Sequence, residues 1–243
     1  MKYVDNSTLW ESCCYDGADS QLQTATDQVA VWTQKNHMAL NVDKTKEMLV
    51  WPGRRECTIP HLTIDGAVIE RVESTKLLGV IMSNDLRWER HVQHAIAKAS
   101  KHIYFLRLLH RAGVHTDDIL GVYTSIIRSV LEYAAELWHA GLTMTQCEAL
   151  ERVQKRVLRL VMPDASYIEA LEQTGLQTLE ARREAACRKL WEDMQRSTHP
   201  LHHLLPPRKK TRTLRSNRLF PLPVCKTNRL KNTFLNYSLF NYQ

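Results

Sequence analysis

Four groups of residues in this 243-residue sequence have types and spacings that could carry chemistry. The first is a carboxylate near the start. Tyr3-Val4-Asp5-Asn6 lies among strand-forming residues, which puts Asp5 at the tip of a β-hairpin. The second is His115-Thr116-Asp117, an H-x-D of the kind that opens a 2-His-1-carboxylate iron site. A helix start explains it better, because Thr116 followed by Asp117 and Asp118 has the composition of a capped first turn. The third is His199, His202 and His203, with no cysteine at zinc spacing; structural zinc takes four ligands, so these are expected to be loose surface histidines. The fourth is basic: Arg208, Lys209, Lys210, Arg212, Arg215, Arg218, Lys226, Arg229 and Lys231 follow one another with no acid among them.

That last group carries the protein's whole positive excess. From residue 196 onward there are ten of the 33 Lys and Arg and none of the 26 Asp and Glu, so the first 195 residues hold 23 basic against 26 acidic side chains. A basic segment on a near-neutral body marks a polyanion partner, here RNA or DNA held through phosphates. A solvated tail with no dedicated partner fits the same composition. Lys155, Arg156 and Arg159 share a helix face, read as solvated by default and as a phosphate contact second. The six tryptophans are spread over the expected elements and are assigned to core rather than to base stacking.

Other classes are excluded or unsupported. The apolar fraction of 44% and charged fraction of 24% are those of a globular protein. Cys13, Cys14, Cys57, Cys147, Cys187 and Cys225 form no C-x-x-C pair, and the first twenty residues hold no apolar run. Reduced thiols and an intracellular location, cytoplasm or nucleus, are therefore expected. No stretch has the ~18 apolar residues of a membrane helix, so no membrane partner is expected. No small-molecule substrate, Gly-rich methyl-donor loop or complete iron triad is identified.

The elements that must position these groups point to an α+β fold. Residues 3–10 alternate as a strand, and Leu22, Ala25, Val29 and Trp32 give the following helix one apolar face. A strand is expected at 47–51. Asp65-Gly66 between β-rich arms predicts a two-residue hairpin, and "TKLLGVIM" a third strand, with Leu62, Ile64, Val68, Leu78 and Val80 building a small sheet on the helix. Residues 88–112 form a helix with Val92, Ile96, Ala99, Ile103 and Leu106 on one stripe, stopped by Gly113. Further helices are expected from Thr116, over 143–161, 166–174 and 177–196. The resulting division is a small α+β unit over 1–86, a helical bundle over 87–197, and a basic irregular tail over 198–243.

In this order the segments carry a family likeness. "YVDN" resembles the Y/F-x-D-D catalytic hairpin of reverse transcriptases of non-LTR (LINE-type) retrotransposons. "ALNVDKTKEMLVW", with Leu40-Asn41 and Lys44-Thr45-Lys46, resembles the segment after it, and "KLLGVIMSNDLRWERHV" the motif beyond. "IIRSVLEYAAELWHAGLTMTQCEALERVQKRVLRLV" resembles the thumb-like helices, and "RLFPLPVCKTNRLKNTFLNYSLFNY" the basic C-terminal stretch. The resemblance implies a partial palm followed by a thumb-like bundle. It also implies two-metal phosphoryl transfer in the intact family, with Mg²⁺ held by carboxylates. Asp5 matches the first hairpin aspartate, a vestigial Mg²⁺ ligand. Asn6, neutral and a poorer ligand, stands in place of the second, and the carboxylate of the family's earlier strand has no match here. The chain is thus expected to be a C-terminal piece that binds no cofactor and does not polymerise alone. A domesticated or leftover interaction module is the alternative. Residues from about Cys57 to Gly113 also resemble the region named for the N-terminus of the eighth AlkB homologue, a tRNA-modifying dioxygenase and methyltransferase, whose catalytic sites the sequence lacks.

Overall fold

The computed structural model describes residues 2–3, 6–14, 17, 19–51, 59–208 and 218–243. They fall into two units, Met1–Arg87 and Trp88–Gln243. The fold is α+β.

In the first unit β1 (Lys2–Tyr3) pairs antiparallel with β2 (Asn6–Ser7), Tyr3 opposite Asn6. Helix α1 (Leu22–Lys35) follows, its first turn held by the Glu11 carboxylate, which accepts from Gln21 N at 3.0 Å. Its buried face is Thr26, Ala30 and Thr33, while Trp32 is 49% exposed. The helix is therefore turned away from the expected stripe. The threonines can face inward because each spends its hydroxyl inside the helix, Thr26 on Leu22 O (2.7 Å) and Thr33 on Ala30 O (2.8 Å).

Strand β3 (Lys46–Glu47) is far shorter than expected. β4 (Thr63–Ile64) and β5 (Ala67–Val68) form the hairpin across Asp65-Gly66, whose φ angles of 50° and 82° are those the turn demands. Gln23 extends this hairpin onto α1: its Nε2 donates to Thr63 O and its Oε1 accepts from Thr63 N, both at 2.9 Å. β6 (Glu70–Arg71) runs parallel to β3, and the Arg71 guanidinium grips the buried Glu47 carboxylate with bonds of 3.2 and 3.0 Å.

The expected third strand is instead a second hairpin, β7 (Ser74–Leu77) against β8 (Val80–Ser83). Its turn, Leu78-Gly79, takes φ of 46° and 89°. The turn was not legible because leucine rarely occupies a positive φ. Among the described residues the strands make four separate two-stranded sheets rather than one. Ile64 and Val80 are buried as expected, but Val68 and Leu78 are exposed.

The second unit is helical. α2 (Glu89–Arg111) buries Val92, Ala95, Ala99, Ile103 and Leu106, and Gly113 beyond it adopts φ 75°. α3 (Thr116–Val122) starts where expected, with His115 as its N-cap. It widens into a π-helical stretch, Tyr123–Arg128, where Thr124 and Ser125 both donate to Gly121 O and compete with the backbone ladder. α4 (Ser129–Leu131) ends at Glu132, and α5 (Ala135–Trp138) restarts after Ala134, its N-cap, in the left-handed region. α6 (Met144–Val161) and α7 (Tyr167–Thr174) both begin with capping boxes, Thr143 with Gln146 and Ser166 with Glu169. α8 (Leu179–Met194) completes the bundle, whose core joins α2, the 116–138 stretch, α6 and Leu179.

The segment expected to be an irregular tail is folded from residue 218 on. α9 (Asn228–Lys231) and α10 (Phe234–Asn241) form there. Phe220 and Leu239, each 2% exposed, cover Trp191, with the Trp191 and Phe220 rings edge-on at 5.6 Å. Three large apolar side chains at long sequence separation thus supply a core that local composition hid.

Candidate nucleic-acid interface

Of the expected basic residues, Arg208, Arg218, Lys226, Arg229 and Lys231 are exposed. Lys209, Lys210, Arg212 and Arg215 lie outside the described residues. Arg229 and Lys231 sit on α9, whose N-cap Thr227 accepts from Leu230 N at 3.2 Å. Lys231 stands 5.1 Å over the Phe240 ring, so α10 fixes the position of the charge on α9. A second basic face lies on α6. Arg152, Lys155, Arg156 and Arg159 are all exposed along one side, opposite the buried Leu150, Val153, Gln154, Val157 and Leu158. Lys155 lies 5.0 Å over the Tyr167 ring.

The remaining expected site residues do not converge. Asp5 lies outside the described residues, and of Asn6 only the backbone pairing with Tyr3 is described. His115 Nδ1 accepts from Asp117 N at 3.4 Å as the cap of α3, and both side chains are largely exposed. His202 Nδ1 meets Met194 O at 2.9 Å and His203 Nδ1 meets Pro200 O at 2.8 Å, so each histidine serves its own turn. Among the described residues no three His, Cys, Asp or Glu come together as metal ligands.

One polar cluster escaped sequence reading. His139 Nε2 and Glu184 Oε2 are 3.0 Å apart, and Tyr237 Oη donates to the same oxygen at 3.1 Å. They border an open cavity of about 530 Å³ that Cys147 and Thr178 also line. Burial pushes the His139 imidazole below its ordinary pKa, and pushes the Cys147 thiol up. Burial also acts to raise Glu184, but hydrogen bonds, His139's foremost, hold it below the usual carboxylate range. A protonated thiol is a poor nucleophile. The cluster is a structural tie that fastens α10, through Tyr237, to α8. No local signal announces it, because its partners lie 45 and 53 residues apart. Arg183 beside it is 1% exposed, lies next to the Cys147 thiol and packs 5.7 Å from the Trp138 ring.

Tryptophan placement is mixed. Trp138 and Trp191 are core, whereas Trp10 is 80% exposed, contrary to expectation.

The chain is 26% identical over 163 residues to the "RNA-directed DNA polymerase from mobile element jockey" of Drosophila funebris. The match covers 65% of this chain and 17% of that protein's length. It supports a distant relation to LINE-type reverse transcriptases and an origin in a protein of that kind. No protein-family model and no solved structure matches the chain. The likeness of residues 57–113 to the AlkB-homologue region finds no support in these comparisons. No helix among the described residues is long and apolar enough to cross a membrane.

Proposed function

We propose that this chain is a reverse-transcriptase-derived nucleic-acid-binding protein that grips phosphates without regard to sequence and has no polymerase activity of its own. The observation that carries the reading is the acid-free C-terminal segment, whose described cations are exposed. The relation to an RNA-directed DNA polymerase supports it. Polymerase chemistry is left out because Asn6 takes the place of a Mg²⁺-holding carboxylate, and a neutral amide is a poor substitute in a two-metal clamp.

The test is a salt titration of binding to single-stranded RNA by the full-length protein. Each phosphate contact contributes a slope of about −0.7 in log K against log salt. With roughly four to six contacts, affinity falls by about two orders of magnitude between about 50 and 200 mM salt. Substituting Arg208, Arg218, Lys226, Arg229 and Lys231 with Gln should flatten the slope. Substitution is preferable to deleting 206–243, which would uncover Trp191 by removing Phe220 and Leu239. Unchanged affinity and slope in the Gln variant would assign the segment to solvent. Nucleic-acid binding would then lie on the helical bundle, and only an absence of binding by the native protein would favour an interaction module without a nucleic-acid role.

A further inference from the structure

The outer face of α2 departs from an ordinary solvated helix surface in two ways. Its charge has one sign: Glu89 is the only acid in the helix, and it is held by Gln93 at its first turn. Lys98, Lys101 and Arg111 are exposed, and none of them pairs with a described carboxylate. Between them stand Tyr104 and Phe105, 58% and 57% exposed, with Leu108 at 41%. At 100° per residue these six fall on the side of α2 opposite Val92, Ala99, Ile103 and Leu106. With a 1.5 Å rise per residue, Lys98 to Arg111 spans about 20 Å. The two rings meet edge to face at 68° with centroids 6.0 Å apart, and the His102 ring lies 6.3 Å from Phe105 at 30°, yet both side chains stay more than half exposed, which leaves ring surface for a base.

Solvated helices mix both signs of charge and keep large aromatic rings off the surface. Interleaved cations and open aromatic faces are instead the composition of a single-strand groove, where charge tracks the backbone and rings receive unpaired bases. We propose that the Lys98–Arg111 face of α2 is a binding strip for single-stranded nucleic acid, with Tyr104 and Phe105 stacking bases and Lys98, Lys101 and Arg111 contacting phosphates. The proposal rests on the nucleic-acid reading above and adds to it a preference for unpaired strands. A duplex keeps its bases stacked on one another and offers the rings nothing. An acidic protein partner would satisfy the cations but gives no reason for the pair of open rings.

The experiment compares the full-length protein with Tyr104→Ala/Phe105→Ala on single-stranded RNA and on a blunt RNA duplex. Loss of one stacked base weakens binding roughly fivefold to 150-fold, so the double variant should lose at least about tenfold on the single strand. Its duplex affinity and its salt slope should stay unchanged. Tyr104→Phe/Phe105→Tyr keeps both rings and should bind as the native protein does. Lys98→Gln/Lys101→Gln/Arg111→Gln should reduce the slope by about 2, at 0.7 per contact. Exposed positions tolerate change, and circular dichroism checks the fold; Tyr104→Gln and Phe105→Gln singly provide helix-compatible replacements should the alanine pair unfold.

Equal binding by the ring-deleted variant, or equal loss on duplex and single strand, overturns the strip while leaving general nucleic-acid binding in place. Conversion of a dimer to a monomer in sedimentation with RNA affinity unchanged also overturns it, and assigns the face to a second copy. Absence of all nucleic-acid binding by the native protein overturns both the strip and the reading beneath it.

Discussion

Gln154→Leu should unlock the helical unit from within. Gln154 on α6 is fully buried and makes three hydrogen bonds to three different segments. Its Oε1 accepts from Tyr123 Oη at 2.5 Å, and its Nε2 donates to Tyr167 Oη and to Gln177 O, each at 3.0 Å. Burial raises the Tyr123 phenol far above its ordinary pKa, so it remains an O–H that requires an acceptor. Leucine fills the space but accepts nothing. Tyr167 keeps the Glu151 carboxylate as its own acceptor and loses little. Tyr123 Oη is left bare in the core, whereas the carbonyl of the exposed Gln177 can turn to water, so at about 1–3 kcal/mol for one buried group the loss is roughly 1–3 kcal/mol.

Urea unfolding followed by helical circular dichroism reads this unit, which holds nine of the ten α-helices among the described residues. Tyr123→Phe alone should cost less, because it removes the group that most needs a partner. The double variant Tyr123→Phe/Gln154→Leu should recover at least about 1 kcal/mol relative to the sum of the singles, within the range of coupled contacts. A Gln154→Leu variant within about 0.5 kcal/mol of native, the ordinary effect of a surface change, would refute the reasoning. So would additivity across the cycle.

Acid should destabilise the same unit. His91, packed between Trp88 and Trp138, is held below its ordinary pKa by burial and by nearby His94. His139 is lowered by burial and Arg183 despite Glu184 and Glu180. The unfolded chain therefore takes up protons first as pH falls through about 6.5, and stability drops below that pH. The melting temperature should be lower at about pH 5.5 than at 7.5, less so in His91→Gln; a rise on acidification would contradict this. Purified protein should extend no primer on an RNA template with Mg²⁺ or Mn²⁺. Asn6→Asp should not rescue it, because no residue matches the third carboxylate; extension by either form would sink the proposal of catalytic incompleteness.

Legibility in the sequence tracked how local the deciding physics was. The α2 stripe, the Asp65-Gly66 turn and the Gly113 stop each depend on residues within one or two turns, and each stands as expected. The α1 face was misjudged because hydropathy counts threonine as polar, whereas Thr26 and Thr33 satisfy their hydroxyls on the helix itself. The Leu78-Gly79 turn hid behind an unusual leucine, and the C-terminal fold behind contacts such as Trp191 with Phe220 and Leu239. The basic segment is legible from charge alone, and the exposed face of α2 from phase. Its signal was present: Tyr104 and Phe105 fall out of phase with the Ile103 and Leu106 stripe, so they had to point away from the core.

Net charge understates what a polyanion meets on this bundle, because many carboxylates work inward. Glu132 is taken by Arg182 through bonds of 2.6 and 3.0 Å. Glu151 holds the Leu179 N–H at the head of α8 and the Tyr167 hydroxyl, and Glu184 ties His139 to Tyr237. Glu169 closes the capping box of α7. Each of these acids does a positional task, and among the described residues Glu132 meets Arg128 and Arg182, and Glu184 meets Arg188, in doing so. Arg152, Lys155, Arg156 and Arg159 on α6, like Lys98, Lys101 and Arg111 on α2, are left facing water. A body that is slightly acidic by composition can in this way present cationic faces, and phosphate binding need not be confined to the C-terminal segment. Neutralising that segment should therefore flatten the salt dependence without erasing it, the remainder being carried by the two helix faces.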